Sequence, residues 1–126
     1  MKESYAQTKL AKDLRDKGYV VWVISDSYTS GIPDLFIAKD GEVQWAELKV
    51  VNEGPGDTIH LDDRKSSGRG FSRAQAIKIF ELQEQGVNAY GLCYVSEASV
   101  YIRVNAEQMT NSYTYEEFLK LPEVKF

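Results

Sequence analysis

The sequence predicts a single α/β domain, and three observations support that prediction. Its 126 residues, 43% of them hydrophobic, are enough for one compact core and too few for two ordinary domains. Helical periodicity alternates with β-branched and aromatic runs, in the order helix, three strands, helix, two strands, helix. The chain has no internal repeat and no low-complexity tract. We therefore expect one domain over residues 1–126.

The first element is a helix predicted over residues 3–17. Apolar residues recur at intervals of four from Ala6 to Leu14, and a glycine follows as a stop signal. Glu3 and Gln7 lie on the same stripe as the two leucines of this helix. The helix is therefore expected to point an acid and an amide toward the surface on which it packs.

Three strands are predicted to follow the helix. The β-branched and aromatic run over residues 19–24 predicts the first, and residues 26–33 have the composition of a loop. Two further apolar runs, residues 35–38 and 43–51, are separated by an Asp-Gly pair at 40–41. Because Asp-Gly is among the strongest short-range signals of a tight turn, these two runs predict a β-hairpin.

The second half of the chain begins with a long loop predicted over residues 52–71, a length that is often functional. The remaining predicted elements are a helix over 72–85, strands over 87–95 and 99–104, and a last helix from a capping box at Thr114 to before Pro122. The helix over 72–85 has an expected core face of Ala76, Ile79, Phe80 and Leu82.

Composition and charge exclude several classes of protein. The longest apolar run has six residues, far below the roughly 20 of a membrane span. The N-terminal segment lacks the apolar centre of a secretory signal. The single cysteine, Cys93, rules out an internal disulfide framework, and its place on a strand predicts a buried thiol. We expect a cytoplasmic protein with no membrane partner.

The hairpin gathers three polar side chains that merit a chemical explanation. Side chains alternate along a strand, so Glu47 and Lys49 share one face. A tight turn at 40–41 places Asp34 opposite Glu47. Two facing carboxylates repel each other unless a positive charge lies between them, and Mg²⁺ suits two acids and a neighbouring backbone carbonyl, here that of Leu48. The alternative is a hairpin with charged residues on a solvated face.

These residues also carry a resemblance to a known family. GIPDL at 31–35 and AELK at 46–49 resemble the PD-(D/E)XK nuclease motif. Within that superfamily the chain is most similar to the VRR-Nuc group, and the resemblance covers residues 31–95. The further matches to the pattern of that group are Ser72, Gln75, Ile79, Leu82 and Gly86. The long loop over 52–71 departs from the family pattern.

The resemblance implies a restriction-endonuclease-like αβββαβ core, with a central mixed sheet flanked by helices. It implies metal ligation by Asp34 and Glu47, with Mg²⁺ as cofactor and Mn²⁺ as substitute, and it makes Lys49 the catalytic lysine. Glu3 or Gln7 would complete the site from the first helix. The implied catalytic set is Asp34, Glu47, Lys49, Gln75 and Glu3, and the implied metal ligands are Asp34, Glu47 and Leu48. Gln75 has a second interpretation of equal weight, because Ser72-x-x-Gln75 is also a capping box.

A local basic segment offers a surface for nucleic acid despite the net charge of -4. Residues 64–78 contain no acid and carry Arg64, Lys65, Arg69, Arg73 and Lys78. Beside a nuclease-like site we favour phosphate contacts for these side chains, and the alternative is a solvated loop and helix start. His60, near two aspartates, is more simply a solvated loop residue than a second metal ligand.

The expected function is a Mg²⁺-dependent DNA endonuclease that selects branched DNA such as a Holliday junction. A non-catalytic DNA-binding or inhibitory module of the same fold and an RNA-cleaving nuclease remain alternatives. Because two symmetric cuts are needed at a junction, we expect a homodimer. The strands at 87–104 and the tyrosines Tyr101, Tyr113 and Tyr115 are the surface predicted to pair two copies, unless they complete the core.

Overall fold

A computed structural model describes residues 1–24 and 30–126. Part of the loop predicted over 26–33 therefore lies outside the described residues. The elements in chain order are α1 (Glu3–Asp16), β1 (Val20–Val23), β2 (Leu35–Lys39), β3 (Glu42–Val51), β4 (Thr58–His60), α2 (Arg73–Glu84), β5 (Ala89–Val95), β6 (Val100–Val104), a 3₁₀ helix (Ala106–Thr110), β7 (Ser112–Thr114) and α3 (Tyr115–Phe118).

The central sheet has the strand order β1-β2-β3-β5-β6. β3 and β5 run parallel, and the other neighbours in this sheet run antiparallel. A parallel pair needs a long crossover, which the segment from β4 through α2 supplies. The sheet is therefore mixed and flanked by helices, as the sequence predicts.

The turn of the β2–β3 hairpin forms as its Asp-Gly pair predicts. Asp40 has φ 52° and Gly41 has φ 81°, the positive values that the favoured two-residue hairpin turn requires. The register pairs Leu35 with Ala46, one step from the predicted pairing of Asp34 with Glu47. The prediction of this hairpin and of its register is confirmed.

The two faces of the sheet are covered by different helices. On one face, α1 buries Ala6, Leu10, Ala11 and Leu14 against Val21, Leu35, Ile37, Ala46, Leu48, Tyr90 and Leu92. On the other face, α2, the 3₁₀ helix and α3 pack over the β5 and β6 half, with Ile79, Cys93, Ile102, Met109 and Phe118 among the buried residues. Within the described ranges, no helix has both the length and the apolar character needed to cross a bilayer.

The segment predicted as a structureless loop over 52–71 contains a strand. β4 pairs antiparallel with β7 in a second, two-stranded sheet that joins the loop to the C-terminal region. The 3₁₀ helix and β7 were also not predicted. The last helix keeps its capping box between Thr114 and Glu117 but covers only Tyr115–Phe118. Such short elements carry too few residues for a periodic signal.

One prediction about apolar side chains is wrong, and a second had two alternatives. Phe80, expected in the core, is 51% exposed, because α2 turns Ile79 toward the sheet and Phe80 toward solvent. The tyrosines were expected either to pair two copies or to complete the core, and their packing favours the second alternative. Tyr115 is buried, Tyr101 packs beside Tyr94 and Phe126, and Tyr113 packs beside Phe118.

Candidate active site

The β2–β3 hairpin brings Asp34 and Glu47 together at one end of the sheet. Asp34 lies one residue before β2, and its Oδ1 accepts a hydrogen bond of 3.0 Å from the Leu48 N–H. Glu47 lies within β3 and is only 4% exposed. A buried acid on a strand is unusual without a partner, so this pair is the centre of the candidate site.

Helix α1 contributes two polar side chains from the stripe that the sequence indicates. The Gln7 amide donates a hydrogen bond of 2.8 Å to Asp34 Oδ2. Glu3 is only partly buried, and its Oε1 lies 4.0 Å from Lys49 Nζ. The sequence left open whether Glu3 or Gln7 completes the site, and the structure brings both to it, Glu3 as an acid and Gln7 as a hydrogen-bond donor.

Lys49 lies between the acids and the long loop. Its side chain is 12% exposed, and Nζ is 4.0 Å from Glu47 Oε2 and equally far from Glu3. On its other side, Nζ lies 5.9 Å from the centre of the Phe71 ring, within the range of a cation–π contact. Phe71 was not predicted as part of the site, since an aromatic residue before a helix cap is indistinguishable in sequence from an ordinary packing residue.

The carboxyl groups of the site are destabilised as anions. Burial raises the pKa of Asp34, and the nearby Glu3 charge raises it further. Burial and the facing Asp34 carboxylate raise the pKa of Glu47, and burial raises the pKa of Glu3 despite the attraction of Lys49. Raised pKa values at several carboxyls in one cluster are typical of a site that needs a cation.

The arrangement of the acids fits a divalent metal ion. One carboxylate oxygen from each of Glu3, Asp34 and Glu47 lies within 4.8 Å of the others. Hard ions such as Mg²⁺ and Mn²⁺ take carboxylate and carbonyl oxygens together with water. The N–H and C=O of one strand residue point to the same side, so the N–H that Leu48 gives to Asp34 directs its carbonyl toward the cluster. This geometry favours the predicted role of Leu48.

In the metal-free protein, we expect the free energy of unfolding to fall as the pH rises from about 5 to 8. The pKa values of Asp34 and Glu47 are raised in the folded state, so the unfolded chain loses these two protons at a lower pH than the folded chain does. Over that pH range ionisation stabilises the unfolded chain relative to the folded one. The loss from the pair is on the order of 1–3 kcal/mol. Urea unfolding with a chelator present, compared with Glu47→Gln, measures it. The same pH slope in both proteins would contradict the assignment.

Comparison with known proteins gives a structural likeness. No family model and no curated protein matches the chain. The fold is similar to that of Hjc from Archaeoglobus fulgidus, a Holliday junction resolvase from an archaeal hyperthermophile. The TM-score is 0.63 at 11% identity, over 93% of this chain and 92% of that one. The predicted fold is confirmed.

The restriction-endonuclease-like fold does not decide the narrower group. Identity of 11% shows shared architecture alone, and the predicted likeness to the VRR-Nuc group stays a prediction. The glycine of the GIPD motif does have a structural reason in this fold. Gly31 has φ 86°, and a Cβ there would lie 2.5 Å from the backbone of Ala74 in α2. Only glycine lets the start of α2 approach the loop that carries Asp34.

Gln75 serves the capping box in this fold. Its backbone N–H donates to Ser72 Oγ at 3.1 Å, and its Oε1 accepts from the Ser72 N–H at 2.9 Å. The structural interpretation of Gln75 is therefore confirmed. Its predicted catalytic role stays a prediction, supported only by the close packing of Gly31 against the same turn of helix.

The basic segment forms the end of the long loop and the start of α2. Some of its charged side chains already have partners within the chain. Asp62 accepts two side-chain hydrogen bonds from Arg64, at 2.7 and 3.1 Å, and these hold the pKa of that carboxyl at about 2. Arg69 donates to the Ser66 carbonyl, and Lys78 lies 3.6 Å from Glu81. Arg64, Lys65, Arg69 and Arg73 are exposed. Phosphate binding by this segment stays a prediction.

Two minor candidates are not part of the acid cluster. His60 Nδ1 lies 2.7 Å from Ser112 Oγ across the β4–β7 pair, and the acid cluster found among the described residues does not include it. Cys93 is fully buried in the core, and burial raises the pKa of its thiol well above the ordinary range. The predicted buried thiol is therefore confirmed.

Proposed function

We propose that the chain is a divalent-metal-dependent endonuclease that cuts DNA phosphodiesters and prefers branched DNA. One observation carries the proposal, namely the cluster of Glu3, Asp34 and Glu47 with Lys49 Nζ 4.0 Å from two of its carboxylates. The fold shared with a Holliday junction resolvase supports the choice of DNA as substrate. The VRR-Nuc resemblance supports the same reaction.

Each side chain has a role in this reaction. Glu3, Asp34, Glu47 and the Leu48 carbonyl would hold Mg²⁺ or Mn²⁺, which supplies a Lewis acid and lowers the pKa of bound water. Gln7 and the Leu48 N–H fix the Asp34 carboxylate through both of its oxygens. Lys49 is close enough to orient the attacking water and to stabilise negative charge that develops on the phosphate.

Selectivity for DNA shape follows from size and charge. A chain of 126 residues with net charge -4 has little surface for reading bases and weak general affinity for duplex DNA. One site cuts one strand, so resolution of a four-way junction requires two copies. We propose a homodimer that uses the groove of about 350 Å³ between α2 and the 3₁₀ helix, where Ile77 and Phe80 are exposed.

Cleavage of a panel of nucleic acids tests the proposal. Linear duplex, single strand, flap, four-way junction and RNA should be compared with and without Mg²⁺, and light scattering at micromolar concentration should give the mass. We expect Mg²⁺-dependent cutting of DNA, fastest on the four-way junction, by a species with the mass of a dimer. Cleavage of RNA alone would favour the alternative, an RNA-cleaving nuclease. A monomer that cuts linear and branched DNA equally would refute the substrate and assembly proposed.

The basic segment has its own test. Lys65→Ala combined with Arg69→Ala should weaken junction binding and flatten its salt dependence by up to about 2 units of logarithmic slope, one for each phosphate that is no longer neutralised. The matched control is Lys120→Ala with Lys125→Ala, which removes equal charge from the C-terminal region. If both double variants bind alike, the loop is only solvated, and the assignment of the acids is unaffected.

A further inference from the structure

Three aromatic side chains, one exposed and two half-buried, form a contiguous surface on the central sheet. Trp22, Phe36 and Trp45 lie at matched positions of β1, β2 and β3. The Trp22 and Phe36 rings are stacked at 4.5 Å between centroids, and the Phe36 and Trp45 rings meet edge to face at 5.1 Å. Trp22 is 58% exposed. We call these three residues the aromatic platform.

The platform continues directly into the candidate active site. Trp45 and Glu47 are two residues apart on β3, so their side chains leave the same face of the sheet about 7 Å apart. Lys49 follows on that face at the next alternate position. The row on the other side of the platform, formed by Val20, Ala38 and Val43, is uncharged, and both valines are exposed. The aromatic surface therefore begins next to the acid cluster and extends away from it.

This surface needs an explanation beyond packing. Large apolar side chains that are contiguous and exposed mark binding sites, whereas single ones are ordinary. A second copy seated on this face would lie against Glu47 and Lys49 and would obstruct the approach of a phosphodiester. A nucleobase has the opposite property, because it is flat, stacks on aromatic rings and is attached to the phosphate that the site must receive.

We propose that the aromatic platform stacks a nucleobase whose face is exposed at a discontinuity in the DNA. This inference rests on the proposed nuclease function and names how that site would select its substrate. Within a continuous duplex both faces of each base are covered by neighbours. Faces become available at branch points, ends and unpaired positions. Because every base has such a face, stacking selects DNA shape without selecting sequence.

Substitution of Trp22 tests the platform in a background that binds without cutting. In Lys49→Ala with Mg²⁺, adding Trp22→Leu should lower affinity for a four-way junction about 5- to 100-fold. Trp22→Phe, which keeps a ring, should lose much less. Affinity for linear duplex should stay unchanged and reports that the variant is folded. Tyr5→Leu is the control, because it removes an equally exposed aromatic ring from α1, outside the platform and the groove proposed for pairing.

A second measurement alters the DNA instead of the protein. A junction with abasic residues at the branch should bind the Lys49→Ala protein as weakly as the intact junction binds the Trp22→Leu variant, and the two losses should not add. Both tryptophans of the chain belong to the platform, so intrinsic fluorescence reports stacking directly. We expect quenching by the intact junction and little by the abasic one.

Several results would overturn the inference. Unchanged junction affinity in Trp22→Leu, or equal losses for junction and duplex, would remove the platform from substrate selection. A change from dimer to monomer mass in Trp22→Leu would assign the surface to pairing of two copies. If wild type cuts DNA and Trp22→Leu does so equally well, only the platform fails. If the junction binds and quenches fluorescence but wild type never cuts it, only the nuclease proposal fails.

Discussion

Glu47→Gln is expected to abolish cleavage, with a loss of at least about a thousandfold, and to remove the stabilisation that Mg²⁺ confers on the fold. Glu47 is nearly fully buried and shares the cluster with Asp34 and Glu3. An ion present at a hundred times its dissociation constant adds about 2.7 kcal/mol to the free energy of unfolding. Thermal unfolding with and without Mg²⁺, together with junction cleavage, measures both effects.

The control for this substitution lies on the same hairpin. Glu42→Gln changes an exposed acid at the turn end of β3 and should alter neither activity nor the response to Mg²⁺. Without metal, Glu47→Gln should be as stable as wild type at pH 8, or more stable, because the repulsion from Asp34 is removed. Calorimetric titration that shows no binding of Mg²⁺ or Mn²⁺ to wild type at millimolar concentration would reject the metal site.

Lys49→Ala should lose turnover by a comparable factor while it still binds metal and DNA. The Nζ group lies 4.0 Å from Glu47 and Glu3 without a shorter ion pair to either, a position suited to contact with water or phosphate. Single-turnover cleavage should therefore be lost, whereas junction affinity should be kept. Lys39→Ala, an exposed lysine at the end of β2, is the matched control.

A different outcome for Lys49→Ala would change its role. If cleavage persists and the loss is in metal affinity or in the free energy of unfolding, Lys49 compensates the charge of the acids and takes no part in the reaction. Lys49→Arg helps to distinguish the two roles. Arginine keeps the positive charge with a different shape, so it should preserve stability without restoring turnover if the lysine acts on water or phosphate.

The site was predictable where local chemistry determines geometry. An Asp-Gly turn fixes the hairpin register, and the register fixes Asp34 opposite Glu47. Strand alternation then places Lys49 beside Glu47, and helical periodicity places Glu3 and Gln7 on the inner stripe of α1. Each of these steps depends on neighbours within a few residues of one another, or on a single turn.

The remaining features depend on contacts between distant parts of the chain. β4 forms because β7 pairs with it, and three residues give no detectable alternation. Whether Ile79 or Phe80 is buried depends on which side of α2 faces the sheet. The two residues are adjacent in sequence and equally apolar, so the sequence does not distinguish them. Phe71 approaches Lys49 because the long loop folds back over β3. These outcomes follow from tertiary packing, which overrides local preference.

The small β4–β7 sheet has a consequence for the order in which the chain assembles. The Leu61 N–H donates to the Asn111 carbonyl, and the Tyr115 N–H donates to the Asp57 carbonyl, so the C-terminal region holds the loop that ends at Phe71. Residues 111–115 are synthesised long after the β2–β3 hairpin, so these contacts cannot form until the hairpin is complete. During synthesis, the hairpin that carries Asp34 and Glu47 is complete before the β4–β7 sheet can form. The ligands proposed for the metal can therefore come together before the surroundings of Lys49 are closed, so the proposed capture of an ion would precede the proposed ability to cut DNA.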